Sequence, residues 1–255
     1  MNYFVDLVRY LFRAKHRRGY GVHSPSVFRL ITLVIEESLP YYSYFLVEKI
    51  RYLSNRKSVD VFLNEEGELF EKNKICLAKW GQLGIAYDQI LFRLVNYYKP
   101  KTIVELGTTM GFSTLYLATP NSQAHVITLS EKKEISDLAK NNFKKSSVCN
   151  ISLKEGDIDF NFRKLIQEQV QFDFLSINCT MMPKGFYTYC NALLQNDSFG
   201  GVIVLNEPYF WENNRNDLNK IKLHDKVRVV IDLFHIVILI LDSNLQKEEF
   251  FLRYY

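Results

Sequence analysis

A chain of 255 residues, 47% hydrophobic and 24% charged, has the apolar material for one large α/β domain with a short appendage and not for two full domains. A net charge of +4 creates no strong field for nucleic acid, and Cys76, Cys149, Cys179 and Cys190, without C-x-x-C spacing, read as reduced thiols rather than as a zinc site. The most hydrophobic run, Leu233 to Leu241, is too short to span a bilayer, and the charges inside the first apolar stretch exclude a secretory signal, so a cytoplasmic protein is expected.

Phe4, Leu7, Val8, Leu11 and Phe12 recur every three or four residues and predict an amphipathic helix to about Arg13. The basic run Arg13, Lys15, His16, Arg17 and Arg18 reads as a solvated helix end, and Gly19 and Gly21 break the helix. Ser24-Pro25 then supplies an N-cap and a first-turn proline for a helix whose stripe is Val27, Phe28, Leu30, Ile31, Val34 and Ile35. Beyond Pro40, Tyr44, Phe45, Val47, Ile50 and Leu53 predict a third helix closing near Asn55 to Lys57. Val59 to Glu68 reads as a loop, and Ile75, Leu77 and Ala78 as a short helical turn. A helical N-terminal cap over residues 1–80 is therefore expected ahead of a domain over residues 81–255, which starts with a helix through Tyr87, Ile90, Leu91, Leu94 and Val95.

The centre of that domain is Thr102 to Ala118, an apolar strand ending in a loop bracketed by Gly107 and Gly111 and followed by helical spacing at Phe112, Leu115 and Tyr116. Glycines in such a turn let a ligand approach the main chain, and in open α/β sheets ligands lie at the carboxyl ends of the strands. Further strands are predicted at Ala124–Leu129, Asn150–Lys154, Phe172–Ile177 and Gly201–Leu205, with helices through Ile135, Leu138 and Phe143, through Phe162, Leu165 and Ile166, and through Leu218 and Ile221. Val227–Leu233 and His235–Leu241 predict an antiparallel hairpin at the sheet edge, followed by a last stretch Phe250–Leu252.

Glu105-x-Gly107-x-x-x-Gly111 resembles the first motif of class I S-adenosylmethionine (SAM) dependent methyltransferases, and Glu105 to Thr114 resembles their O-methyltransferase-type branch. The resemblance extends from His23-Ser24-Pro25 to Lys247-Glu248-Glu249-Phe250, nearly the whole chain, towards bacterial methyltransferase-like proteins of similar length. It implies a Rossmann-like methyltransferase fold with a mostly parallel seven-stranded sheet, an antiparallel C-terminal hairpin and SAM as cofactor. Glu105, Gly107, Thr108, Gly111 and Ser113 would then hold the methionine end. The ribose acid of such sites ends strand two, where this chain has Ser130, with Glu131 one place later, and Asp157 would lie near the adenine.

The chain departs from the family pattern after strands four and five. An aspartate followed by a histidine is replaced by Asn178-Cys179-Thr180-Met181, and paired aspartates by Asn206-Glu207-Pro208-Tyr209-Phe210-Trp211. The catalytic candidates are Asn178, whose amide can orient a ligand but not remove a proton, and Glu207, a possible base or simply a turn residue. A single acid without a nearby histidine makes a poor divalent-metal site, so none is expected. Cys179 and Cys190, likewise without an evident histidine partner, read as core thiols. Two readings follow: methyl transfer to an unidentified small acceptor, in which proximity to an already activated methyl supplies much of the rate, or an inactive pseudo-methyltransferase serving as a binding or scaffold protein with a protein partner.

Overall fold

In a computed structural model, the structure describes residues 3–15, 18–60, 83–196 and 199–254. His16, Arg17, Cys76, the helical turn expected at Ile75 to Ala78, most of the loop expected over Val59 to Glu68 and the boundary at residue 80 lie outside the described residues.

In chain order the elements are α1 (Tyr3–Arg13), α2 (Pro25–Leu30, continued by a π-helical turn over Ile31–Ile35), α3 (Tyr42–Asp60), α4 (Ile85–Tyr98), β1 (Thr102–Leu106), α5 (Phe112–Ala118), β2 (His125–Ser130), α6 (Lys133–Ser146) and β3 (Ile151–Glu155). There follow α7 (Ile158–Gln167), β4 (Phe174–Asn178), α8 (Tyr187–Leu194), β5 (Val202–Asn206), α9 (Glu212–Leu223), β6 (Val229–Asp232), β7 (Ile236–Ile240) and β8 (Glu248–Phe251). The class is α/β and Rossmann-like, with a mixed, mostly parallel sheet of eight strands where seven were expected. The additional strand is β8: the last apolar stretch pairs with β6, in parallel, and so becomes part of the sheet. No helix among the described residues is long and apolar enough to cross a membrane.

Two compact units make up the chain, Leu39–Val170 and the combination of Met1–Ser38 with Gln171–Tyr255. In the first, β1, β2 and β3 pair in parallel, with Glu105 beside Thr128, Leu106 beside Leu129, and Ser130 beside Glu155. Their carboxyl ends therefore share one edge. Ile103, Val104, Leu106, Val126 and Leu129 are fully buried, as strands covered on both faces require. Two helices anchor this unit through a buried ion pair: Arg51 of α3 bonds Asp88 of α4 and the Leu83 carbonyl, and its guanidinium lies 4.8 Å from the centre of the Phe112 ring.

In the second unit β4 and β5 are parallel, β5 and β7 antiparallel, and β7 and β6 form the expected antiparallel hairpin. The face of α1 that packs shares Leu7 with the expected stripe but is otherwise a different one. Phe4 and Phe12 are 66% and 78% exposed, whereas Asp6 and Tyr10 are buried. The face that packs carries Tyr3, Leu7 and Tyr10, which together with Ala14 gather around Phe234 and Phe251, while Asp6 pairs with Arg215 of α9. Apolar spacing alone could not choose between two faces when the deciding contacts are aromatic rings and an ion pair more than 200 residues away. Ser24 caps α2 as predicted, its Oγ accepting from the Val27 N–H at 3.5 Å.

Candidate functional site

The loop between β1 and α5 is wound in left-handed backbone, with φ of +93° at Gly107, +48° at Thr109 and +80° at Gly111. Only glycine takes such angles without cost, which is why two glycines bracket the turn. A side chain on Gly111 would also collide with α6, its Cβ falling 2.5 Å from the Phe143 ring and 3.2 Å from the Ala139 Cβ. The Gly107 and Thr108 N–H groups both donate to the Leu129 carbonyl, at 3.0 and 3.2 Å, and Gly111 N–H to the Thr108 carbonyl at 2.9 Å. These three amides shape the loop rather than face a ligand. Asn142 of α6 holds the loop from behind: its Nδ2 donates to the Met110 carbonyl at 3.0 Å, and its Oδ1 accepts from Ser54 Oγ of α3 at 2.6 Å.

Beneath the loop lies Glu105, fully buried, accepting from Ser113 Oγ at 2.7 Å, from Thr128 Oγ1 at 2.6 Å and from Thr114 Oγ1. Thr108 Oγ1 extends the network, 2.6 Å from Thr128 Oγ1 and 3.1 Å from the Leu129 carbonyl. Burial raises the Glu105 carboxyl to about 7, and the three hydroxyl donors only partly offset it. The folded value exceeds the ordinary 4.5, so the native state holds a proton that the unfolded chain has released. That contribution to stability is fully present below pH 4.5 and is lost as pH rises to 7. Glu105→Gln, which keeps the shape and removes the charge, is expected to abolish about 3 kcal/mol of this pH dependence, measured by urea unfolding at pH 5 and pH 8.

The remaining residues anticipated around the cofactor come together at the same sheet edge. Ser130 is the last residue of β2 and is buried, its carbonyl accepting from Gly156 N–H at 3.0 Å, and Glu131 follows it exposed. Asp157 caps α7, one carboxylate oxygen accepting from the Phe160 N–H at 2.6 Å. Sequence reasoning missed Thr114, Thr128 and Asn142. The available signal was a polar residue inside an apolar strand or helix face, which must find a partner when buried.

The ends of β4 and β5 belong to the other unit. Asn178 caps a short 3₁₀ turn over Cys179–Met181, its Oδ1 accepting from Thr180 Oγ1 at 2.6 Å and from Thr180 N–H at 3.2 Å. Trp211 Nε1 donates to the Thr180 carbonyl at 3.0 Å. Cys179 and Cys190 are buried, and burial pushes the Cys179 thiol well above its ordinary value, as befits a core thiol. Asn206 Nδ2 donates to Ser176 Oγ at 3.0 Å, which leaves the buried Asn206 Oδ1 without a hydrogen-bond partner among the described residues. Exchanging the two amide atoms would only transfer the deficit to the nitrogen.

Glu207 requires a correction, since it does have a histidine beside it. His235 Nδ1 lies 2.7 Å from Glu207 Oε1, and Glu207 N–H donates to the His235 carbonyl at 2.7 Å. The two are 28 residues apart and meet because β7 runs antiparallel to β5, with Ile236 opposite Asn206. No local sequence signal marks such a pair. Among the described residues no three His, Cys, Asp or Glu side chains come together as a metal-binding group.

A protein-family model described as O-methyltransferase matches residues 63–235. No curated protein matches the sequence. Among solved structures, the chain is similar to an O-methyltransferase from Bacillus cereus in complex with SAH, at 17% identity and a TM-score of 0.54, covering 76% of this chain and 99% of that one. It is similar to a methyltransferase from Podospora anserina, also SAH-bound, at 15% identity and a TM-score of 0.55, covering 81% and 99%. A third likeness is to TomG from Streptomyces achromogenes, an O-methyltransferase of tomaymycin synthesis in complex with SAM, at 13% identity and a TM-score of 0.54, covering 80% and 100%.

Proposed function

The chain belongs to the O-methyltransferase family, and from that premise we propose that it transfers the methyl group of S-adenosylmethionine to a hydroxyl of a small acceptor. The observation that carries this reading is the shared edge of β1, β2 and β3, where a left-handed glycine loop, Ser130 and Asp157 come together over the buried Glu105. The residues present fit the cofactor. The loop is held by internal hydrogen bonds, so little ordering remains to be paid on binding. Ser130 carries the donor and acceptor of a hydroxyl for the ribose, and the Asp157 oxygen not used in capping can accept from the adenine amino group. Glu105 and Ser113 fix the loop that receives the methionine end. When bound, SAM supplies a methyl group already activated by its sulfonium. What the chain contributes is orientation and exclusion of water. In the other unit, Asn178 shapes the turn after β4, and Glu207 is the carboxylate that follows β5.

Calorimetry with SAM and S-adenosylhomocysteine (SAH) on the full chain tests this. Binding of both is expected, weaker than a carboxylate at the end of β2 would give, and the absence of heat and of thermal stabilisation at saturating ligand would refute it. Ser130→Glu is expected to tighten SAM binding by about 1.5–3 kcal/mol by adding a charge-assisted bond to the ribose, with Glu131→Ala nearly neutral. The reverse pattern would assign the ribose to Glu131.

A further inference from the structure

We infer that Asn142, held in turn by Ser54 and Lys145, is a positioning residue for the cofactor's amino-acid end. It locks the Met110–Gly111 peptide of the glycine loop in the orientation that receives that end. This deepens the methyl-transfer reading and rests on it, and every residue involved belongs to the Leu39–Val170 unit. The lock closes on both sides of one peptide plane. Asn142 Nδ2 donates to the Met110 carbonyl at 3.0 Å, and the Gly111 N–H of the same peptide donates to the Thr108 carbonyl at 2.9 Å. A peptide held at its oxygen and at its nitrogen cannot turn over without breaking two hydrogen bonds in a buried place.

The direction of the Asn142 amide is itself fixed. Its Oδ1 accepts from Ser54 Oγ at 2.6 Å and from Lys145 Nζ at 3.1 Å, and an ammonium can only donate, so the amide oxygen faces Lys145 and the nitrogen faces Met110. Lys145 Nζ also donates to Ser54 Oγ at 3.2 Å, which closes a ring of three side chains from α3 and α6. Arg51, one turn before Ser54 on α3, lies against Phe112 on the far side of Gly111. One helix therefore supports the loop's last glycine from both directions.

What the lock opposes is strain. Thr109 is 3% exposed and has φ +48°, a region that a β-branched residue seldom enters and leaves unless its surroundings prevent it. The loop is held before Thr109 by the Gly107 and Thr108 N–H groups on the Leu129 carbonyl, and after it by Asn142 on the Met110 carbonyl. Release of the second hold lets the Met110–Gly111 peptide rotate and Thr109 relax, at the expense of the loop's shape. The adenine and ribose are assigned to Ser130 and Asp157, on other loops of the same edge, so the loss should fall on the amino-acid end alone.

The test is calorimetry on the full-length protein with two probes: SAH, and methylthioadenosine, which keeps the adenine, ribose and thioether but has no amino-acid end. Asn142→Ala is expected to weaken SAH binding about tenfold, the equivalent of one buried hydrogen bond, and methylthioadenosine binding less than about twofold. Thr109→Gly added to it removes the cost of the left-handed angle and should bring SAH affinity back to within about threefold of the parent. Ser54→Ala, a milder change because Lys145 still holds the amide, should weaken SAH about threefold with the same selectivity, and serves if Asn142→Ala does not fold. If Asn142 only packs α6 against the loop, its loss lowers the melting temperature and leaves the ratio of the two affinities as in the parent, which overturns the proposal. Equal weakening of both probes overturns it too, as does the lack of any rescue by Thr109→Gly. A parent protein that binds neither probe would instead strike the cofactor reading on which the proposal rests.

Discussion

Arg51→Ala is expected to cost about 3–5 kcal/mol of stability, seen as a fall in the urea midpoint with little change in m-value. The change would leave Asp88 buried with no cation beside it, strip the Leu83 carbonyl of a donor and remove the guanidinium from the Phe112 ring. The pair is itself a costly arrangement. Burial raises Asp88 to about 6 in spite of Arg51, and both Asp88 Oδ1 and Arg51 Nε are without hydrogen-bond partners among the described residues. Desolvation therefore exceeds attraction, and replacing both residues together, Arg51→Met with Asp88→Leu, should recover most of the loss. Recovery failing in the double variant would mean that contact with Phe112, rather than charge, is what Arg51 contributes. Because Phe112 directly follows Gly111, the single variant is also expected to weaken SAH binding, measured by calorimetry under conditions where it remains folded.

The second large effect is expected at Gly111. Gly111→Ala must adopt φ +80° and force its methyl against Phe143 and Ala139, and the two penalties together should reach about 3 kcal/mol. Phe143→Leu in the same chain relieves the collision but not the dihedral, so the double variant should regain about half of the loss. Full recovery would show that the glycine is required for space alone. No recovery would show that backbone conformation is the whole of it.

These two sites indicate what the sequence made legible. The glycine loop, the Ser24-Pro25 cap and the strand ending at Ser130 are written in neighbouring residues, as turn chemistry and period, so they were readable in order. Arg51 with Asp88, Glu105 with Thr128, and His235 with Glu207 are partnerships across 37, 23 and 28 residues, fixed by which elements pack and in what register. Spacing carries no record of them. The same holds for α1, where the apolar stripe pointed to Phe4 and Phe12 while the buried contacts went to Tyr10 and Asp6. The last apolar stretch was seen, but its promotion to β8 depends on backbone pairing with β6, which side-chain pattern does not encode.

The unit that joins both ends of the chain dictates an order of assembly during synthesis. Tyr10 bonds the Leu252 carbonyl, 242 residues further on, and Asp6 bonds Arg215, 209 residues further on. A ribosome adding about 5–20 residues per second needs on the order of ten seconds or more to deliver those partners. Leu39–Val170, continuous in sequence, has its own strands and helices available long before then. The first helix, with Phe4 and Phe12 on one side and its unmet Tyr10 on the other, must therefore remain uncommitted while the segment behind it folds. It docks only when the last strand has been made. During synthesis α1 is thus open to chaperone capture or aggregation until those partners emerge, and the Phe234 turn that it packs against is among the later parts of this unit to be completed.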